Sequence, residues 1–226
     1  MVPTDLLVEP TAGHAARTAA DLVGASLRAA ISARGTASIA FSGGQTPTGM
    51  LEALALLPLP WQHVHVFQVD ERVAPDGDAE RNSTALCRAL LDRVETNAHL
   101  MDVTALDLVE SAQRYAALLQ RHEPLDVVHL GIGDDGHTAS WPPGAPVVDD
   151  QDHDVAIVGP FRGFVRMTIT PLVVDRSRAV VLLVAGAEKA PVLARMLAGD
   201  RSVVASRVLG PRTVIVADEA AATATA

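Results

Sequence analysis

Short apolar runs and longer amphipathic stretches alternate along this chain. Residues 37–41, 64–69 and 126–130 read as short strands, and residues 179–185 are nearly all aliphatic, as expected of a strand covered on both faces. Residues 155–158 and 212–217 predict two further strands. Helical periodicity marks residues 11–34, with Gly35 near the end, then 46–56, 80–93, 107–122 and 188–198. Thr46 reads as an N-cap and Pro47 as a first helical residue. Strands separated by helices imply βαβ units. The expected fold class is therefore α/β, a mostly parallel twisted sheet with helices on both faces, Rossmann-like. No internal repeat and no composition shift marks a linker, so residues 1–226 are expected to form a single domain. The Pro/Asp-rich stretch 142–154 is expected to be a surface loop, and the Ala/Thr-rich tail 219–226 to fray.

Composition narrows the possibilities. A chain of 226 residues with 49% hydrophobic content can build a sizeable core. No run approaches the roughly 18–20 apolar residues of a membrane span, and the N-terminus lacks a basic region followed by an apolar one. Cys87 is alone, which excludes an intramolecular disulfide, and its helical surroundings make it a small core residue. A soluble cytoplasmic protein is the expectation, with neither membrane nor nucleic acid as a partner, since a formal charge of −9 opposes a phosphate backbone. The charge raises another question: which cations would serve an anionic ligand? Seventeen of the eighteen basic residues are Arg, and Lys189 is the single lysine.

Most of the chemistry sits in residues 128–142. The apolar run before Gly131 ends in a glycine loop that delivers Asp134, Asp135 and His137. Strands of a parallel sheet end this way at their ligand-facing edge. A histidine there can exchange protons near neutral pH, and the carboxylate of Asp135, two residues earlier, can orient its ring. Gly131, Gly133 and Gly136 also fit the dinucleotide pattern G-x-G-x-x-G, with Asp152 and Asp154 at a tolerable spacing for a ribose. Against that, Asp134 and Asp135 would repel a pyrophosphate, and Pro142-Pro143 leaves room only for a short helix.

Four other strand-to-loop transitions carry polar groups. Ser42-Gly43-Gly44-Gln45-Thr46 turns from a strand into a helix whose free N–H groups suit a phosphate. No Gly-Lys-Ser/Thr follows, so it is not a nucleotide-triphosphate loop. Asp70-Glu71-Arg72 follows a strand, and Arg72 can hold an oxyanion bidentately. Gly186-Ala187-Glu188-Lys189 places the lysine at a helix start. Arg166 precedes an alternating pattern, Met167-Thr168-Ile169-Thr170. Singly, each admits a plainer explanation as a turn, a surface charge cluster or a solvated side chain. Together they suit one anionic ligand beside a histidine. No Cys/His spacing suggests a metal.

In order and content, these blocks resemble the 6-phosphogluconolactonases, which form a larger group with the glucosamine-6-phosphate deaminases/isomerases. The matching pieces are Ser42–Pro47, Asp70–Arg72, Arg81-Asn82-Ser83, Gly131–Ser140, Arg166–Thr170 and Gly186–Lys189. The deaminases carry Gly-His-Ile-Ala-Phe-Asn-Glu-Pro, whose glutamate assists a ring-opening histidine. Here the block continues Thr138-Ala139-Ser140-Trp141-Pro142 without an Asn-Glu pair, and Asp-Glu-Arg stands in place of Asp-Glu-Tyr. One departure from the lactonases is Trp141-Pro142 where Leu-Phe-Pro is common, an apolar change with one residue fewer. The resemblance implies hydrolysis of 6-phospho-D-glucono-1,5-lactone to 6-phospho-D-gluconate, the second step of the oxidative pentose phosphate pathway, without cofactor or metal. It implies His137 as general base, Asp135 as its orienter and Arg72 as oxyanion partner, with Asp70 secondary because a lactonase needs no proton transfer at C2. The phosphate falls to Ser42, Gly43, Gly44, Thr46, Arg166 and Lys189. A monomer or small homo-oligomer acting on a small sugar-phosphate lactone is expected. The alternatives are an isomerase/deaminase of the same group, or a non-catalytic sugar-phosphate sensor. A transcription regulator of that kind would need a basic helix-turn-helix segment, and nothing before Ala37 is basic or long enough.

Overall fold

The computed structural model describes residues 4–223. A first strand, β1 (Asp5–Glu9), leads to Thr11, whose side chain accepts the His14 N–H and starts α1 (Ala12–Arg34). There follow β2 (Ala37–Phe41), α2 (Thr46–Ala55), β3 (Val64–Gln68), β4 (Asp70–Arg72), α3 (Asn82–Leu86), β5 (Asn97–His99), α4 (Leu108–Gln120) and β6 (Val127–Leu130). The chain ends with β7 (Val155–Phe161), β8 (Phe164–Ile169), α5 (Pro171–Arg176), β9 (Val180–Val184), α6 (Ala190–Leu197), β10 (Thr213–Asp218) and α7 (Glu219–Ala222).

Seven strands form one sheet in the order β1-β10-β9-β6-β2-β3-β5, every pairing parallel. Alternate residues of each strand serve opposite faces. Val180, Leu182 and Val184 of β9 join the core under α4 and α6, while Val181 and Leu183 join the core under α1 and α2. The buried stripe of α1 is mostly alanine (Ala15, Ala16, Ala19, Ala20), which lets the helix lie close to the sheet. From β2 the chain builds outward to β3 and β5. From β6 it builds the other way, to β9 and β10. The direction reverses between β2 and β6, and a crevice forms outside the carboxyl ends at such a switch point.

Three departures from the sequence-based expectations have physical causes. A second sheet, β4-β8-β7, is antiparallel and packs on the first. The strand expected at 155–158 is the first part of β7, and the alternation after Arg166 belongs to β8; the short polar β4 and the three-residue β5 carry no hydrophobic periodicity, and neither they nor β1 are among the expected strands. The helix expected over 80–93 is a short α3 followed by a π-helical turn, Cys87–Leu91, that leaves Cys87 half-buried. The tail expected to fray forms α7 over Glu219–Ala222, because Asp218 accepts the Ala221 N–H and Ala221 is buried; residues 224–226 lie outside the described residues. The loop 142–154 behaves as expected except that Val147 and Val148 turn inward. No helix among the described residues is long and apolar enough to cross a membrane.

Candidate active site

At the switch point, a cleft of about 410 Å³ gathers nearly every residue singled out from the sequence: Ser42, Gly43, Gly44, Thr46, Asp70, Arg72, His137, Arg166 and Lys189. Asp135 stands directly behind His137. A larger cleft of about 790 Å³ lies between loop 142–153 and β7. Asp149, Asp150 and Asp152 line it and no Arg or Lys does, so it is the wrong place for an anion.

The loop after β6 is built around one histidine. Gly133 N–H donates to the carbonyl of His137, and Gly136 N–H to that of Gly133. Asp135 Oδ1 accepts the His137 backbone N–H at 3.1 Å and also bonds the ring at Nδ1. An ionised carboxylate only accepts, so Nδ1 carries the proton and Nε2 keeps its lone pair. Phe161 meets the ring edge-on, with centroids 5.0 Å apart. Burial, only partly offset by Asp135, sets the His137 pKa below the usual histidine value, so the ring is a neutral base at physiological pH. Burial would push Asp135 up, but its bonds from His137 hold it below the ordinary carboxylate value. The loop needs a glycine at 133: a Cβ there would overlap the His137 ring and approach Asp135 Oδ1 to 2.8 Å. This packing also disposes of the dinucleotide alternative. No helix follows Gly136; the chain closes instead into a bridge between Thr138 and Trp141. Asp154 is buried against Arg176, and Asp134 pairs with Arg162.

The opposite wall comes from the small sheet. Asp70 is buried; Ser140 Oγ donates to it at 2.6 Å, Asn82 Nδ2 at 3.2 Å, and Arg166 Nη1 lies 3.7 Å away. Burial raises its pKa despite these partners. Glu71 is fully buried, yet its pKa lies below normal. The desolvation that would raise it is outweighed by bonds from Gln68 Nε2 and from the N–H groups of Arg72, Asn82 and Ser83. It therefore fixes β4 to the start of α3 and faces Arg81 at 3.2 Å. Arg72 gives Nη1 to Glu80 (2.8 Å), while its Nε is buried with no acceptor. Arg166 donates Nε to the Phe161 carbonyl and lies over that ring, 5.3 Å from its centroid.

The turn expected to cradle a phosphate differs from expectation in one detail. Thr46 is the first residue of α2 and Gln45 the cap, with no side-chain capping bond, so Pro47 falls second. Thr46 Oγ1 is consequently left for a ligand. Gly43 is covered by Asn82, whose side chain would overlap any Cβ there. Lys189 lies in the 3₁₀ turn Ala187–Lys189 just before α6, with no ion pair among the described residues. Sequence reasoning missed Arg162, in the tight turn between β7 and β8, which also lines the cleft and pairs with Asp134 and Asp135. Its only sequence signal is Arg162-Gly163 between two strands. Trp141, the departure from the common pattern, is wholly buried and donates its indole N–H to the Ile169 carbonyl at 2.7 Å.

Comparison with known proteins identifies the family and the fold. The family model described as glucosamine-6-phosphate isomerases/6-phosphogluconolactonase matches residues 10–220. A 6-phosphogluconolactonase of Synechocystis is 40% identical over 182 residues, covering 76% of this chain and 75% of its own. One from Nostoc is 36% identical over 205 residues, covering 85% of each. Among solved structures, 6-phosphogluconolactonase from Thermotoga maritima superposes with a TM-score of 0.86 over 96% of this chain and 99% of its own, at 22% identity, a likeness of fold.

Proposed function

The chain belongs to the glucosamine-6-phosphate isomerase/6-phosphogluconolactonase family, and from that premise we propose how its cleft hydrolyses 6-phospho-D-glucono-1,5-lactone to 6-phospho-D-gluconate. It is a lactone hydrolase of the pentose phosphate pathway, as are the relatives it matches over most of their length. The observation that carries the mechanism is the His137–Asp135 pair, with Nε2 free at the rim of a cleft walled by Arg72, Arg162, Arg166 and Lys189.

His137 Nε2 takes a proton from a water molecule as the water oxygen attacks C1 of the lactone. Asp135 holds the ring in the required tautomer and stabilises the imidazolium that forms. The carbonyl electrons move onto oxygen, where Arg72, on the cleft wall, is the assigned stabiliser. Collapse of the tetrahedral intermediate breaks the bond from C1 to the ring oxygen, and the imidazolium returns its proton to that oxygen. The product is the open-chain acid. The phosphate is assigned to the backbone of Ser42, Gly43 and Gly44, to Thr46 at the start of α2, and to Arg166 and Lys189. Asp70 acts as a positioning residue that holds Arg166 and Ser140 in place. A deaminase would need a further acid partner for ring opening, and where its block carries Asn-Glu this chain has Trp141-Pro142, with the Trp141 indole N–H committed to the Ile169 carbonyl. The same proposal carries a cytoplasmic enzyme, monomeric or a small homo-oligomer, with no nucleic-acid partner at a charge of −9.

The test is lactone hydrolysis by the purified protein, with the spontaneous reaction subtracted. His137→Ala is expected to lower kcat by at least about 100-fold, the lower bound for losing a general base, while 6-phosphogluconate still binds. A corrected kcat within a few-fold of wild type would remove His137 from the mechanism.

A further inference from the structure

A second cluster of titratable groups lies away from the cleft. His65 is near the amino end of β3, His99 ends β5, and His122 follows α4. His65 Nδ1 and His99 Nε2 are 3.0 Å apart, and a ligating nitrogen from each of the three rings falls within 4.8 Å of the others. It is the one such group of three or more potential ligands among the described residues. We propose that these three histidines form a binding site for a divalent transition-metal ion of the Zn²⁺ class, tying the edge strand β5 to β3 and to the end of α4.

Nitrogens about 2.0–2.1 Å from a tetrahedral ion stand roughly 3.3 Å apart. The 3.0 Å pair already meets that spacing within small ring rotations, and His122 completes the triangle from the other side. Metal ligation needs an unprotonated nitrogen. Burial, joined by repulsion from His122 at His65, from His65 and His122 at His99, and from Arg121 at His122, sets all three rings below the usual histidine pKa. All three are half-buried, and a cleft of about 190 Å³ at the amino edge of the sheet opens on His65 and His122. An ion can therefore enter and keep water at its fourth position. Phe67 stacks on His99 with centroids 4.6 Å apart and closes the inner side. Arg121 is the repulsive neighbour; the other nearby cations, Arg34 and Arg178, are both paired with Asp126. The site has a structural use, because β5 pairs with β3 alone over three residues and so short an edge strand is weakly held.

Tag-free full-length protein, stripped with a chelator, would be titrated with Zn²⁺ by calorimetry and with Co²⁺ by visible absorption. One equivalent should bind, with the intense bands of four-coordinate, nitrogen-ligated Co²⁺, and Zn²⁺ should raise the Tm. His99→Gln and His122→Gln should each abolish both effects, whereas His137→Ala should leave them intact. No stoichiometric binding, binding retained in both Gln variants, or binding lost with His137→Ala would overturn the proposal. Should the variants fail to fold, histidine ring resonances of the wild type decide: three rings shifting together on one equivalent of Zn²⁺ support the site, and His137 shifting instead refutes it.

Discussion

The two sheets contribute to the cleft in different currencies. The seven-stranded sheet supplies mainly shape: backbone turns after β2, β6 and β9, the last carrying Lys189, and one histidine held with Asp135 in the loop that follows a wholly buried strand. The three-stranded sheet supplies charge: Asp70, Glu71 and Arg72 on β4, Arg166 on β8, and Arg162 at the turn between β7 and β8. Hydrophobic packing fixes the first set of positions, and buried ion pairs and hydrogen bonds fix the second. A change to the large sheet's loops should therefore act through sterics and mainly on kcat. A change to the small sheet should act through electrostatics, on stability or on pH dependence.

The sharpest way to break this contrast is Gly133→Ala. A methyl group there would occupy the space of the His137 ring and crowd Asp135. Because the neighbour is the proposed base with its carboxylate and not a compliant surface chain, His137 is expected to leave its position. kcat should fall by about 10²–10⁴-fold, the range for losing a general base, with the circular dichroism spectrum and Tm little changed. Near-wild-type kcat in the folded variant would mean that the loop does not hold His137 as tightly as its packing implies.

Glu71→Gln probes the other sheet. The substitution keeps the shape but turns two acceptor oxygens into one oxygen and an NH₂ group. In either orientation that group would face donors, the N–H groups of Arg72 and Asn82 or Gln68 Nε2 and the Ser83 N–H, and Arg81, itself buried, would lose its buried counter-charge and keep the exposed Asp76. Removing one member of a buried pair costs about 3–5 kcal/mol, and the retained shape favours the lower end. Urea unfolding should show a stability loss of roughly 3 kcal/mol with an unchanged m-value. A midpoint equal to wild type would show that the small sheet does not depend on this carboxylate.

The same contrast explains what could be learned without coordinates. Residues 37–41, 126–130 and 179–185 lie in the large sheet and alternate between its two cores, so their periodicity revealed both strands and edge. His137 and the turn at Ser42 followed, because the ends of such strands are where ligands bind. Asp70, Arg72 and Arg166 were recognisable as residues, but not as members of one antiparallel sheet. The register Asp70 to Thr168 and Arg72 to Arg166 joins segments far apart in sequence, and the alternation of Met167–Thr170 marks a strand without naming its partner. Arg162 was invisible for a related reason: it sits in a tight turn whose position depends on the pairing of β7 with β8. His65, His99 and His122 belong to three elements and converge only once β3, β5 and α4 are packed.

Arg162 also offers the finest test of how charge from the small sheet tunes the base on the large one. Burial is the largest influence lowering the pKa of His137; Asp135 opposes it, and the Arg162 guanidinium adds to the lowering. Arg162→Ala would remove a like charge and leave Asp135 to the histidine alone, so the imidazolium becomes easier to form and the pKa rises. A general base must be neutral, so the rate falls as pH drops through that pKa. The acid limb of kcat/KM, which reports the free enzyme, should accordingly move to higher pH in Arg162→Ala and stay in place in Arg162→Lys. Loss of a contact with the anionic substrate would lower the plateau without moving the limb. The ionisation of the substrate phosphate, near pH ~6, is common to all three proteins and cancels in the comparison. An acid limb unmoved in Arg162→Ala, or moved to lower pH, would show that the turn between β7 and β8 does not tune the base.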